Sequence, residues 1–446
     1  MLDWAESGAM ALTGMPSGRP VASPAPALAR LGQVTAEFAR VTARTGKQVR
    51  ADPAALITGR AALAGFTRAG QVSAGGSSFL LRSADGWCAV TLSRPEDVAA
   101  VPAIAGSLGL DGANLDGIAT RAEARAALTA VALCTPAEDL AAAAQLVGVP
   151  AAALPPGAPP PPAGTSSLAT AADWPPWRGT RIAAPLAGAG LAGAVVADLS
   201  SMWAGPLCAR LLGLAGAEVI KVESPTRPDG ARSGNGEFFD WLHAGHRSLS
   251  ADFSTREGRT VLRALLEVAD IVVESSRPRA LAALGLAPET IPHRPGQVWL
   301  SITGYGRAVP GRVAFGDDAA VAGGLVGWAP GGSSPEPVFC ADAIADPLTG
   351  ACGALAAALS RAAGGGELID LSMRDAAAAF AAAGPDHGPH EVLPSGSVAC
   401  PRSHREQAIL PPARPVPIAG TGGRAAELGA DTSEVAAWLA GPPAAC

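Results

Sequence analysis

The chain is predicted to adopt an α/β fold, and three observations carry that reading. From residue 193 onward, short apolar runs alternate with stretches of helical spacing, the pattern of parallel strands covered by helices. Ahead of that region the run Leu154–Ala163 (LPPGAPPPPA) divides the chain, because so much proline sustains neither a helix nor a central strand and makes a stiff, extended spacer. Finally, 446 residues, of which 48% are hydrophobic and 16% charged, suffice for two or three domains with their own cores and exclude global disorder. The expected division is an N-terminal part over 1–153, a linker over 154–175, a larger α/β domain over 176–385 and a returning C-terminal segment over 386–446.

Each element of the larger part follows from its residues. Gly193–Leu199 (GAVVADL) is a short apolar run ending in Asp-Leu, as for a buried parallel strand. Gly205–Ala215 has leucines at 207, 211, 212 and 214, a helical spacing. Glu218–Val222 (EVIKV) reads as the next strand, followed by a Pro/Gly-rich loop. Thr255–Val268 reads as a helix with Thr255 as its N-cap. Asp270–Val273 and Val298–Ile302 are two more strands. Parallel sheets place ligands beyond the C-terminal ends of their strands, so the loops after Leu199, Val222, Val273 and Ile302 are where function is expected. Gly384–Pro417, rich in Pro, His and Gly, is expected to wrap irregularly over the surface. A weak internal echo relates Asp3–Gly14 to Asp318–Trp328, and Gly46–Ala62 to Gly365–Ala379; the second pair shares a glycine, a strand and a helix.

Composition also narrows the function. The net charge of −6 gives no electrostatic reason to expect nucleic acid or an anionic membrane as partner. The opening MLDWAESGAM lacks the basic region of a signal peptide, and Ala376–Ala383 is too short to span a bilayer, so a cytoplasmic protein is expected. The seven cysteines, at 88, 134, 208, 340, 352, 400 and 446, are scattered without CxxC or metal-ligand spacing. They read as small buried residues, with no metal site and no cysteine nucleophile.

Residues Val195–Arg232, VVADLSSMWAGPLCARLLGLAGAEVIKVESPTRPDGAR, resemble the N-terminal signature of the family III CoA-transferases. Further blocks of that family follow in order: His243–Leu265, ADIVVESSRP at Ala269–Pro278, SITGYG at Ser301–Gly306, IADPLTG at Ile344–Gly350, ELIDLSMRDAA at Glu367–Ala377 and ELGADTSEV at Glu427–Val435. Ser78–Val98 (SFLLRSADGWCAVTLSRPEDV) is similar to the family's small-domain segment, which in the family comes late in the chain. The N-terminal part therefore looks like the back half of one copy fused ahead of a copy without its small domain. The resemblance implies a Rossmann-like large domain with a smaller α+β domain. It also implies a pseudo-dimer within the chain or an interlocked homodimer.

The resemblance further implies a chemistry: coenzyme A moves between an acyl-CoA thioester and a small carboxylic acid, with the thioester as substrate and no tightly bound cofactor. An aspartate attacks the thioester and forms a mixed anhydride. The matching stretch is RVAFGDDAAVAGGLVG (Arg312–Gly327), where a gap-free match of the flanking helix places the family's Asp nearest Gly316–Asp317 and the Gly-x-Asp spelling selects Asp318, so both are candidates, with Asp318 first. Either also suits the cap of the following helix. Gly323 and Gly324 would let substrate approach and donate N–H groups to an oxyanion, or would serve close helix packing. For the phosphates of coenzyme A, Arg247 and Arg277 are the first candidates, then Arg232 and Lys221. The turn Trp203-Ala204-Gly205-Pro206 resembles the loop beside the nucleotide, and Asp346 reads as a loop-ordering residue. The family's Asn-Phe after Glu274 is replaced by Ser275-Ser276. The alternatives are a 2-methylacyl-CoA racemase of the same family, with His246 or His293 as a base, and a non-catalytic acyl-CoA-binding relative. A dehydrogenase lacks support because no GxGxxG follows the first strand.

Overall fold

The computed structural model describes residues 1–23, 26–110, 117–156, 174–332, 334–382, 390–401, 403–416 and 423–441. Most of the expected linker, residues 157–173, and Cys446 lie outside them.

The N-terminal part contains helices α1 (Leu2–Glu6), α2 (Ala27–Thr45) and α3 (Pro53–Ala64), then strands β1 (Ser78–Arg82) and β2 (Trp87–Thr91). Helices α4 (Pro95–Ala99), α5 (Val101–Ser107), α6 (Arg121–Leu133) and α7 (Ala137–Leu146) follow, and strand β3 (Ala151–Ala153) closes an antiparallel sheet in the order β1-β2-β3. Two cores divide this part. Phe79, Leu81, Val90, Ile104, Leu128 and Leu140 belong to an apolar cluster of their own. Trp4, Leu31, Phe38 and Ile57 instead share the cluster of the large sheet. The strand anticipated after Gly46 does not form: residues 48–52 carry no regular structure, and Asp52 accepts from Ala54 N–H to start α3. Directly before a proline, the chain caps a helix instead of pairing an edge.

The larger part is built from β4 (Trp177–Arg181), β5 (Val195–Asp198), α8 (Ala204–Leu214), β6 (Glu218–Glu223), α9 (Gly236–His243), β7 (Arg247–Ser250), α10 (Arg256–Val268), β8 (Ile271–Glu274), α11 (Pro278–Ala283), β9 (Val298–Thr303), α12 (Gly316–Ala322), the hairpin β10 (Gly327–Ala329) and β11 (Glu336–Val338), α13 (Ala345–Ala362), β12 (Glu367–Ser372) and α14 (Met373–Ala381). Its sheet runs β4-β12-β9-β8-β5-β6-β7, parallel throughout except for β4. The α/β class is thus borne out. Successive strand residues feed opposite faces, Val196 and Val273 into one apolar cluster and Ala197 and Val272 into another, so both faces are covered. Thr255 caps α10 by accepting from Gly258 N–H. The strand order reverses between β5 and β8, which opens a crevice at their C-terminal ends.

Part of Gly384–Pro417 is regular where it was expected to be irregular. The strands β13 (Glu391–Val392), β14 (Ser397–Cys400) and β15 (Arg405–Ala408) form an antiparallel sheet that packs on α1. The chain then returns as α15 (Thr432–Ala440), whose Asp431 and Thr432 side chains accept from the N–H groups of Ser248 and Ser250 on edge strand β7.

Candidate active site

The Asp pair lies in the first turn of α12, pressed against the small sheet of the N-terminal part. Gly316 opens that helix because nothing larger fits: a Cβ there would stand 2.3 Å from Asp346 Oδ2 and 2.4 Å from Ala343 O. Asp318 is fully buried, and its Oδ1 accepts from Phe315 N–H at 2.9 Å and from Thr91 Oγ1 on β2 at 3.0 Å. Its Oδ2 has no hydrogen-bond partner, and burial pushes its pKa up to about 8. Asp317 keeps 8% of its surface exposed. Its Oδ2 accepts from Ser78 Oγ on β1 at 2.9 Å, and its Oδ1 accepts from Ala343 N–H at 3.0 Å. Burial raises its pKa, while the Ser78 hydroxyl, the Arg60 guanidinium and the Ala343 N–H oppose that rise.

Arg60, Ser78 and Thr91 come from the N-terminal part, and sequence inspection assigned none of them. The Arg60 guanidinium lies 5.3 Å from the centroid of the Trp203 ring, which itself packs edge-on against Phe238 at 5.5 Å. Two more carboxylates join the cluster: burial pushes Asp342 up to about 6 and Asp346 up to about 7. Asp346 accepts from Ala204 N–H, so it orders the loop at the head of α8.

The other anticipated residues separate into two groups. Trp203, Ala204 and Gly205 are buried at the C-terminal end of β5, beside the crevice. A Cβ at Gly205 would meet Ser200 Cβ at 2.1 Å, so the missing side chain makes room for this loop's own turn. Ser275 Oγ accepts from Ser201 N–H at 3.2 Å, tying the loops after β5 and β8 together across the crevice. Arg277 stands at the head of α11, where burial and then the charges of Arg279, Arg94 and Arg227 lower its pKa. Arg279 lies on the same helix, whereas Arg94, from the N-terminal part, is already paired with Asp97 at 2.6 Å.

Several anticipated residues have structural partners instead. Arg247 begins β7, at the opposite end of the sheet from the crevice, and pairs with Glu218 and Glu434, each at 3.0 Å. Arg232 is held by Glu223 at 2.6 Å. Lys221 is 2% exposed, paired with Asp229 at 2.9 Å and with Asp198 at 3.8 Å. The N–H groups of Gly323 and Gly324 donate within the end of α12, to Ala319 O and Val321 O, and so are spent as oxyanion donors. A Cβ at Gly323 would meet Ala378 N at 2.5 Å, which makes it a packing glycine against α14. Burial drives His246 down to about 3, and both His293 ring nitrogens are engaged, by Gln297 Oε1 and Pro288 O. Cys340 and Cys352 are buried, with thiols pushed up to about 12. No helix among the described residues is long and apolar enough to cross a membrane, and none of their His, Cys, Asp and Glu side chains group as a metal-ion site.

Comparison with known proteins agrees with the ordered blocks. The family described as CoA-transferase family III matches residues 191–411. The chain is 32% identical over 243 residues to a succinate–glutarate CoA-transferase of Agrobacterium fabrum, covering 46% of this chain and 60% of that one. It is 34% identical over 201 residues to an (R)-2-hydroxy-4-methylpentanoate CoA-transferase of Clostridioides difficile, covering 41% and 50%. A solved structure of a CAIB/BAIF family protein from Brucella suis is 31% identical, covering 44% of this chain and 55% of that one, with a TM-score of 0.38. The chain therefore spans between half and three-fifths of the length of these relatives.

Proposed function

We propose, from the match of residues 191–411 to CoA-transferase family III, that the chain moves coenzyme A between an acyl-CoA thioester and a carboxylic acid, with Asp317 as the nucleophile. The carrying observation is the contrast within the Asp pair. Asp318 is 0% exposed, caps its helix and has its pKa pushed up to about 8, whereas Asp317 is 8% exposed, has the Arg60 guanidinium near it and accepts from Ser78, Ser73 and Ala343 N–H, all of which favour its charged form. A nucleophilic carboxylate has to be ionised and reachable, and those features favour Asp317 over the Gly-x-Asp spelling that selects Asp318.

In this reading the Asp317 carboxylate attacks the thioester carbonyl. A C–O bond forms, the C–S bond breaks, and coenzyme A leaves as thiolate from an acyl-aspartyl anhydride. The thiolate returns to the aspartyl carbonyl and expels the donor acid, leaving an aspartyl-CoA thioester. The acceptor carboxylate attacks that thioester, and the thiolate it releases then takes the acceptor's acyl group. Asp317 emerges as a carboxylate again. Arg277, with Arg227 and Arg279, would hold the phosphates of coenzyme A at the crevice. A racemase would need a histidine before the Asp; Gly316 stands there, while burial lowers His246 to about 3 and both ring nitrogens of His293 are engaged.

The domain reading follows the same line. The N-terminal part acts as the second copy's contribution supplied within one chain. Helix α2, which precedes Gly46, packs against α13, which precedes Gly364–Gly366, as equivalent helices do across a two-fold interface.

The test is incubation with acyl-CoA, then hydroxylamine, and peptide mapping of the adduct. The expected product is a hydroxamate on Asp317, absent from Asp317→Asn. A hydroxamate on Asp318 refutes the assignment of the nucleophile. Exchange of α-hydrogen without CoA transfer selects the racemase, and acyl-CoA binding without either reaction selects the binding relative.

A further inference from the structure

Asp317 stands among like charges. Asp342 and Asp346 are both buried, and Arg60 is the cation that acts on all three carboxyls. Asp342 is the least satisfied of them. It is 1% exposed, and neither of its oxygens has a hydrogen-bond partner. Its one ion pair, to Arg60 Nε, is 3.6 Å long, beyond the 2.7–2.9 Å of a charge-assisted hydrogen bond. The residues on either side, Ala341 and Ala343, have φ of 55° and 42°, a region that costs a residue with a Cβ. A strained turn therefore holds a buried carboxylate beside a guanidinium without engaging its hydrogen-bonding fork. Local strain and unmet polar groups concentrate where a ligand completes the structure.

Arg60 itself is well placed. It projects from α3, and its guanidinium lies among the rings of Trp203, Phe66 and Phe238, at 5.3, 5.6 and 5.8 Å from their centroids. Residue 75 is a glycine, and a Cβ there would stand 2.9 Å from Arg60 Nη2. A carboxylate that approaches Asp317 meets repulsion from every other charge in the cluster, so it needs a cation. A guanidinium offers the planar, two-pronged donor that a carboxylate fits. Resting on the CoA-transfer reading above, we propose that Arg60 recognises the carboxylate of the entering acid, and that Asp342 is the counter-ion this carboxylate displaces. The aromatic rings around the guanidinium give the acid's carbon body apolar faces, which suits a small organic acid.

Titration calorimetry on the full chain, with acetate, oxalate, succinate and glutarate as probes and no acyl-CoA, tests this without the transfer reaction. At least one probe binds the wild-type chain. Arg60→Gln weakens that binding about 10- to 100-fold, the effect of losing a charged hydrogen-bond pair. Arg60→Lys restores part of it, because an ammonium keeps the charge without the fork. Asp342→Asn strengthens binding several-fold by removing the competing carboxylate, an effect that a merely structural ion pair would not produce and that does not depend on the folding of Arg60→Gln. The proposal is overturned if no probe binds, if Arg60→Gln binds as well as wild type, or if Asp342→Asn weakens binding. Failure of the wild-type chain to form an acyl-aspartate would instead count against the transfer reaction and leave the binding result standing.

Discussion

Asp318→Asn separates the buried cap from the nucleophile, and its consequences can be worked out from the geometry. Asparagine keeps the acceptor oxygen for Phe315 N–H and Thr91 Oγ1, and it places a neutral amide where Oδ2 already lacks a partner. In the folded chain this carboxyl has its pKa pushed up to about 8 by burial, against an ordinary value of 3.8. A raised carboxyl pKa means that the folded state binds the proton and the unfolded state releases it. Its contribution to stability is therefore complete below about pH 4 and lost as pH rises towards 8, at about 1.4 kcal/mol per unit. From pH 5 to pH 7.5 the wild-type chain should lose on the order of 3 kcal/mol that Asp318→Asn does not lose. Urea unfolding followed by tryptophan fluorescence at pH 5, 6, 7 and 7.5 reads this difference. The variant's advantage over wild type should grow from pH 5 to pH 7.5 by on the order of 3 kcal/mol, and the variant should retain hydroxylamine-trappable acyl-enzyme. A variant as pH-sensitive as wild type, or one that loses the acyl-enzyme while staying folded, refutes the assignment of Asp318 as a protonated cap.

Three further substitutions probe the frame around the site. Arg277→Met should weaken coenzyme A binding about tenfold and reduce its salt dependence, whereas Arg247→Gln should leave binding unchanged and cost under about 1 kcal/mol of stability; equilibrium binding at two salt concentrations checks both. Lys221→Met leaves Asp198 and Asp229 buried without their cation and should cost about 3–5 kcal/mol in urea unfolding, loosening the loop that Asp229 holds through Met202 N–H. Gly316→Ala drives a methyl group into Asp346 and Ala343; the expected cost is about 1–3 kcal/mol, with loss of acyl-aspartate, read by thermal melting and trapping in parallel.

The local signals in the sequence were the ones that depend on neighbours a few residues away. GAVVADL, EVIKV and VWLSI are apolar because strands covered on both faces meet no water, so they formed strands as expected. Thr255 capped its helix because capping is settled within three residues. The charge on Arg247 was evident, but its end of the sheet was not. RSLS is a short, mostly polar edge strand, and its position depends on pairing with β6.

What the sequence alone determined is the α/β class, the likeness of residues 191–411 to CoA-transferase family III and the place of the Asp pair at the head of a short helix, since ordered blocks and helix-start residues are properties of a linear chain. Only the tertiary structure decided which Asp keeps exposed surface, and that the surroundings of Asp317 come from the other half of the chain. Ser78 lies 239 residues before Asp317 and still donates to its carboxylate. Burial, desolvation and hydrogen-bond partnership are fixed by what packs against a residue, and at this site the packing elements are α3, β1 and β2 from the N-terminal part.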